Sequence, residues 1–206
     1  LVFQDGEVSE RLVCPQVQAE RGEPFWSDLV EDYRRPLASG LKTLIINYEP
    51  PWFKCCFCER CRRAFAEFAR LDVEKVLTMT PKDIQELPDH AWGRFRSKQN
   101  ERIVKNHVAA IHETDPEVQV GICGPPYAEW NAQRGMDIRL FEPEVVMHAP
   151  MIYRAPPEYE SAVRSTCENV TAPVLPFLLA SDIAVPRTFP LPGDVRLNML
   201  ATALSG

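Results

Sequence analysis

The most informative part of the sequence begins with Leu44-Ile45-Ile46-Asn47-Tyr48-Glu49, continues as Pro50-Pro51-Trp52-Phe53-Lys54 and ends in Cys55-Cys56-Phe57-Cys58-Glu59-Arg60-Cys61. Its apolar start predicts a buried strand, and that strand ends abruptly at the carboxylate of Glu49. Barrel enzymes place a catalytic acid in this way, at the C-terminal tip of a buried strand. The crowded cysteines that follow predict a loop held together by a metal ion.

Three of these cysteines, Cys56, Cys58 and Cys61, have a C-x-C-x-x-C spacing in a loop that runs into a helix. Zinc binds four cysteine or histidine ligands in a tetrahedral array, so a fourth ligand must come from elsewhere. Cys14 ends an earlier predicted strand and is the expected fourth ligand, with Cys55 as its substitute. Four thiolates leave no open position for water, so the predicted zinc site is structural. The alternatives are reduced cysteines without a metal, or a redox pair.

Strands and helices alternate along the rest of the chain. The predicted strands cover 11–14, 42–48, 118–123, 145–152 and 174–180. The predicted helices cover 25–37, 59–71, a short segment capped by Thr80, 90–113, 157–169 and 195–204. This alternation favours a parallel sheet with helical crossovers, and no glycine-rich nucleotide-binding motif follows a strand. The predicted fold is a (β/α)8 TIM barrel of the α/β class, present over residues 1–206 as one incomplete domain with about strands 3 to 7.

Composition restricts the classes of function. The net charge of -6 disfavours a general role in binding nucleic acid or an acidic membrane surface, and the longest apolar runs are too short to span a bilayer. The clustered cysteines form a poor disulfide framework and slightly favour a reducing, cytoplasmic compartment. The chain begins at Leu1 without a methionine, so we expect the true N-terminus to precede it. Association into a homo-oligomer stays an open alternative.

The predicted chemistry is hydrolysis of a glycosidic bond. That reaction needs a carboxylic acid to protonate the leaving oxygen and a second group across the sugar ring. Glu49 is the predicted acid or base. Asp182, which follows the last predicted strand, is the candidate nucleophile, and Tyr153 is the candidate to orient that nucleophile or to hold a substrate carbonyl.

A second set of side chains is predicted to contact a carbohydrate substrate, because its members lie at or near strand ends. This set contains Asn47, Tyr48, Trp52, Phe53, Tyr127, Trp130, His148 and Arg154. The aromatic members offer flat surfaces on which a sugar ring can stack. Ordinary structural roles are the alternatives: Trp130 can pack against a helix, and Glu49 can cap a helix or pair with an arginine.

The order of these features resembles the family 42 β-galactosidases. In those enzymes a strand-end glutamate is the acid/base, and the cysteine loop behind it binds zinc together with an upstream strand-end cysteine. The resemblance implies that role for Glu49 and zinc binding by the four cysteines proposed above. It rests on residues 11 to 70, and the rest of the chain matches only in the order of its strands and helices.

Departures from that family limit what the resemblance implies. The family has asparagine directly before the glutamate, where this chain has Tyr48, and it keeps a glutamate nucleophile at a position that here follows Leu179 without one. The Tyr48-Glu49 ending and Met151-Ile152-Tyr153 are also similar to family 18 chitinase-like barrels, in which the acetamido group of the substrate is the nucleophile. Asn47 stands where that pattern has aspartate. The resemblance therefore implies a glycoside hydrolase, without galactose specificity or a retaining mechanism.

Two other functions stay open. A non-catalytic carbohydrate-binding barrel would explain why no convincing nucleophile accompanies Glu49. A zinc-thiolate or redox module, in which the barrel is incidental, would explain the cysteine loop.

Overall fold

A computed structural model describes residues 2–9, 13–49, 55–152 and 156–176. The strands in this part of the chain are β1 (Thr43–Asn47), β2 (Gln119–Gly124) and β3 (Met147–Pro150). The α-helices are α1 (Pro15–Ala19), α2 (Phe25–Leu37), α3 (Glu59–Ala69), α4 (Val73–Thr78), α5 (Pro81–Gln85), α6 (Ala91–Thr114), α7 (Glu129–Gln133) and α8 (Pro156–Cys167). Short 3-10 helices cover Pro88–His90 and Ile138–Phe141. Among the described helices, none is long and apolar enough to cross a membrane.

The chain divides into two compact units, and each unit is built from segments that are not consecutive in the sequence. Of the described residues, those within 1–42, 50–118 and 129–141 form the helical unit, and those within 43–49, 119–128 and 142–206 form the sheet unit. The cysteines proposed as metal ligands belong to the helical unit, whereas Glu49 belongs to the sheet unit.

The long helix α6 is the centre of the helical unit, where α1, α2, α3 and α5 all contact it. The apolar core of this unit joins α3 and α6 through Phe65, Trp92 and Phe95, which are buried and contact one another edge-on or tilted. Phe57 stacks on Trp92, with 4.7 Å between ring centroids, and so links this core to the cysteine loop. Aromatic pairs of this kind add directional packing to the burial of apolar surface.

Local sequence explains where helix α5 begins. Thr80 accepts a hydrogen bond from the backbone N–H of Asp83, and the Asp83 carboxylate accepts one from the backbone N–H of Thr80. This reciprocal capping satisfies two backbone donors that the first helical turn leaves unpaired. Pro81 occupies the first position of α5, where a missing N–H is harmless.

The sheet unit is built on three parallel strands in the order β1-β2-β3. Ile45 pairs with Gly121 and Gly121 with Met147, while Asn47 pairs with Cys123. Side chains alternate across a strand, so β1 has one exposed face and one buried face. The exposed face carries Thr43, Ile45 and Asn47, and Ile46 lies on the buried face.

The predicted barrel is wrong. Within the described residues, the strands form a single three-stranded parallel sheet and no closed barrel. A TIM barrel closes through eight strands, so three strands leave the sheet open. The predicted strand 11–14 fails at its described end, because Val13 and Cys14 pair with none of the described strands and Pro15 already starts α1. In the predicted strand 174–180, Val174 makes one isolated parallel bridge to His148, and 177–180 lie outside the described residues.

Several other elements are confirmed. The middle three predicted strands match β1, β2 and β3, and the predicted helices match α2, α3, α5, α6 and α8 within a few residues at their ends. The predicted helix 195–204 lies outside the described residues.

Candidate metal centre

The side chains of Cys14, Cys56, Cys58 and Cys61, here called the cysteine cluster, converge in the helical unit. Their four Sγ atoms all lie within 4.8 Å of one another. The Sγ of Cys14 is 3.6 Å from that of Cys58 and 3.5 Å from that of Cys61. A tetrahedral ion with metal–sulfur bonds of about 2.3 Å would hold its ligands about 3.8 Å apart. The cluster can therefore hold one metal ion.

Helix ends place three members of the cluster. Cys14 is the residue directly before α1, and Cys58 is the residue directly before α3. Cys61 lies in the first turn of α3, where it is fully buried. Residues three apart at the start of a helix face the same side, so the C-x-x-C spacing brings Cys58 and Cys61 together.

The N-terminal segment secures the fourth member, Cys56. Val2 donates its backbone N–H to the Sγ of Cys56 at 3.2 Å, and the backbone N–H of Phe57 donates to the carbonyl of Val2 at 2.9 Å. Phe3 forms an antiparallel bridge with Cys55. A hydrogen bond from a backbone N–H to sulfur favours the thiolate, which is the form that binds a metal.

Mutual hydrogen bonds separate the pKa values of the four thiols. The neighbouring Cys14 thiol lowers the pKa of Cys56 and also lowers the pKa of Cys58, to about 6. The same contacts raise the pKa of Cys14, through Cys56, and that of Cys61, through Cys14. Contacts within the cluster thus favour the thiolate at Cys56 and Cys58 and the thiol at Cys14 and Cys61.

The remaining cysteines do not join the cluster. Cys55, the predicted substitute ligand, is fully buried, and burial raises its thiol pKa to about 11. Cys123 lies on β2 and Cys167 ends α8, both in the sheet unit. Burial raises the pKa of each of these two thiols.

Glu49 lies two residues beyond the end of β1, where its side chain is exposed. The backbone N–H of Tyr48 donates to the carbonyl of Cys123 at 2.8 Å, so parallel pairing with β2 continues past Asn47. Tyr48 is buried and Asn47 is exposed. Glu49 is close enough to Cys123 for its charge to contribute to the raised thiol pKa.

Two other residues predicted to contact the substrate, Tyr127 and Trp130, lie in different units. Tyr127 is buried in the sheet unit, and its backbone N–H donates to the hydroxyl of Thr166 at 3.0 Å. Trp130 belongs to the helical unit, is half exposed and lies under the guanidinium of Arg134, whose Cζ is 5.4 Å from the ring centroid. The five other predicted catalytic and substrate residues, Trp52, Phe53, Tyr153, Arg154 and Asp182, lie outside the described residues.

His148 is only 3 % exposed within β3. Its Nε2 is 3.5 Å from Oε1 of Glu142. Glu142 also accepts hydrogen bonds from the backbone and hydroxyl of Thr171 and from the backbone of Ala172, each at 2.8 Å. These bonds outweigh burial and hold the pKa of Glu142 below its ordinary value, while burial lowers the pKa of His148 against the opposing charge of Glu142. The pair anchors the segment that follows α8.

Sequence reasoning missed the polar contacts that dock α1. The amides of Gln16 and Gln99 are buried and bonded to each other, and the carboxylate of Glu20 pairs with Arg60. Their positions in the sequence follow no recognisable spacing. In the sequence, the hint of this docking role is that Gln16 lies two residues after the predicted ligand Cys14.

Comparison of the chain with known protein families, with curated proteins and with solved structures gives no match.

Proposed function

We propose that the cysteine cluster binds a structural zinc ion and that this ion braces the N-terminal part of the helical unit. The observation that carries the proposal is the convergence of four Sγ atoms within 4.8 Å of one another. Thiolate ligands suit zinc, and a site with four of them has no position left for a reacting water. The ion would join three separate pieces of chain: the start of α1, the loop at Cys56 and the start of α3.

Metal analysis tests this proposal directly. The protein purified under reducing conditions is expected to contain about one zinc per chain, and cobalt added to the metal-free protein is expected to give the absorption spectrum of a tetrahedral four-thiolate site. Zinc content well below one, together with no cobalt binding at stoichiometric concentrations, would overturn it. A readily formed disulfide within the metal-free cluster would then favour the redox alternative.

Hydrolysis of O-glycosyl bonds, with Glu49 as general acid or base, is the second candidate function. It is supported by the exposed carboxylate just beyond the C-terminal end of a parallel strand, since ligands of open parallel sheets bind outside those strand ends. Asn47 lies two residues earlier, and the alternation of strand side chains places it on the same side as Glu49. The motif resemblance of residues 11 to 70 agrees with this candidate.

Turnover of nitrophenyl glycosides and oligosaccharides by the zinc-loaded protein tests the second candidate. Glu49→Gln keeps the size of the side chain but removes its proton transfer, and we expect a loss of roughly 100- to 10,000-fold in kcat. Full activity in this variant would contradict the assignment. Calorimetry distinguishes catalysis from carbohydrate binding alone. In the second case the unaltered protein would release heat on binding oligosaccharides but would form no product.

A further inference from the structure

The distant ligand Cys14 directly precedes helix α1, which has little apolar surface with which to dock. Its five residues are Pro15-Gln16-Val17-Gln18-Ala19, and the buried ones are Pro15 and Gln16. The other three cysteines of the cluster lie within six residues of one another. Completion of the cluster therefore depends on where α1 is held.

An amide pair attaches α1 to the central helix α6. Gln99 donates from its Nε2 to Oε1 of Gln16 at 2.5 Å, and both side chains are at least 95 % buried. The buried guanidinium of Arg96 donates to Oε1 of Gln99, which fixes the orientation of that amide. A directional hydrogen bond between buried groups sets position more sharply than apolar contact, because a misplaced partner leaves polar atoms unpaired.

The same chain of contacts reaches α3, whose first turn holds Cys61 and which Cys58 directly precedes. Nε2 of Gln16 donates to Oε1 of Glu20 at 2.6 Å. Nε of Arg60 donates to Oε2 of Glu20 at 2.9 Å, and Arg60 lies between the ligands Cys58 and Cys61 in α3. Farther along α6, Nδ2 of Asn106 donates to the carbonyl of Gln18 at 2.7 Å. Polar side chains thus hold α1 from both α6 and α3.

We infer that Gln16 and Gln99 are positioning residues of the metal site: they bring Cys14 to the other three thiolates without touching the ion. This inference rests on the proposed zinc site. Groups that orient metal ligands from outside the coordination sphere typically change metal affinity by roughly 10- to 100-fold when they are removed. The amide pair is expected to act in that range, and specifically through Cys14.

The test removes the amide and retains the length of the side chain. In Gln99→Met, competition with a chromophoric chelator is expected to show zinc affinity reduced by roughly 10- to 100-fold. Alkylation of the zinc-loaded variant, read residue by residue by mass spectrometry, is expected to modify Cys14 while Cys56, Cys58 and Cys61 stay protected. The cobalt spectrum is expected to shift from a four-thiolate to a three-thiolate site. General destabilisation would expose all four thiols alike.

A second variant and a matched control complete the design. Gln16→Met leaves the bond between Arg96 and Gln99 in place, serves where Gln99→Met fails to fold, and is expected to give the same Cys14-specific labelling. Gln119→Met makes the same chemical change at an exposed position of β2 and is expected to leave zinc affinity and labelling unchanged.

The outcomes distinguish this inference from the proposal on which it stands. An unaltered protein that binds no zinc overturns the zinc site itself. Zinc binding with unchanged affinity and a protected Cys14 in folded Gln99→Met or Gln16→Met overturns only the positioning role. Equal labelling of all four cysteines in the folded variants also overturns it, because the amides would then support the unit as a whole.

Discussion

The helical unit and the sheet unit each carry one predicted site, and the two sites differ in how completely their parts come together. In the helical unit, all four predicted ligands meet within 4.8 Å. In the sheet unit, Glu49 stands at the predicted strand end, while its predicted partners Tyr153 and Asp182 lie outside the described residues. A thiolate site needs four sulfur atoms around one point, whereas glycoside hydrolysis needs two groups on opposite sides of a sugar.

Loss of one cysteine from the cluster should have the largest effect, and it should be confined to the helical unit's site. In Cys61→Ser, zinc affinity is expected to fall by more than roughly 100-fold, since a lost ligand costs more than a lost outer partner. Loss of the ion is also expected to lower the melting temperature by about 10 °C, equivalent to about 3 kcal/mol or more in a chain of this size. Zinc titration and thermal melting measure the two effects.

Cys167→Ser is the matched control, because this cysteine ends α8 outside the cluster. It is expected to leave zinc binding unchanged. Equal losses of zinc in the two variants would show that the ion is not held where the four sulfur atoms converge.

Replacing one glycine of each unit with alanine compares how tightly the two units are packed around that position. In Gly93→Ala, the new Cβ would overlap the backbone carbonyl of Gln133, which cannot rotate away, so we expect about 3 kcal/mol of destabilisation. In Gly121→Ala, the new Cβ would meet the flexible side chain of Met147 at 2.5 Å, and we expect about 1 kcal/mol. Urea denaturation of both variants measures the difference, and a larger loss for Gly121→Ala would reverse this comparison.

Two histidines, the partly buried His107 of the helical unit and the buried His148 of the sheet unit, allow a comparison of pH dependence. Burial lowers the pKa of His107 to about 4 from an ordinary 6.5, and its Nδ1 lies 2.7 Å from the hydroxyl of Tyr33. The unfolded chain therefore binds this proton more readily, so the contribution to stability is complete above pH 6.5 and is lost as the pH falls toward 4. The full loss amounts to about 3 kcal/mol.

Urea denaturation of the protein and of His107→Gln between pH 7 and pH 4 checks this prediction. Taking the difference at each pH cancels contributions that the two proteins share, including protonation of the metal ligands. The difference is expected to shrink as the pH falls. For His148→Gln we expect a smaller change of the same sign, because Glu142 opposes the effect of burial. A difference that stays constant with pH for His107→Gln would contradict the prediction.

Local patterns predicted the parts of this structure that depend on neighbouring residues. Helix α2 matches its prediction at both ends, and the capping of α5 by Thr80 is confirmed. The cysteine cluster was also predictable, because three of its members share one loop and Cys14 was the expected fourth ligand.

The predictions that were wrong concern how segments far apart in the sequence pair with one another. The barrel was inferred from strand–helix alternation, which many open parallel sheets share. The strand expected at 11–14 fails at its described end because Pro15 favours the start of a helix over further strand pairing. The burial of His148 beside Glu142 could not be read from the sequence, because it depends on a chain segment that returns after α8.

The attachment of α1 to α6 has a consequence for how the protein is made. A chain leaving the ribosome presents Cys14 first, the cysteine loop later, and Gln99 roughly forty residues after Cys61, which takes roughly 2 to 8 s at the usual rates of synthesis. During that interval the loop has its three thiolates, but α1 lacks the partner that docks it. An ion captured then would be held by three sulfur atoms and a replaceable fourth ligand, and Cys14 would take that fourth position only when the middle of α6 had been synthesised.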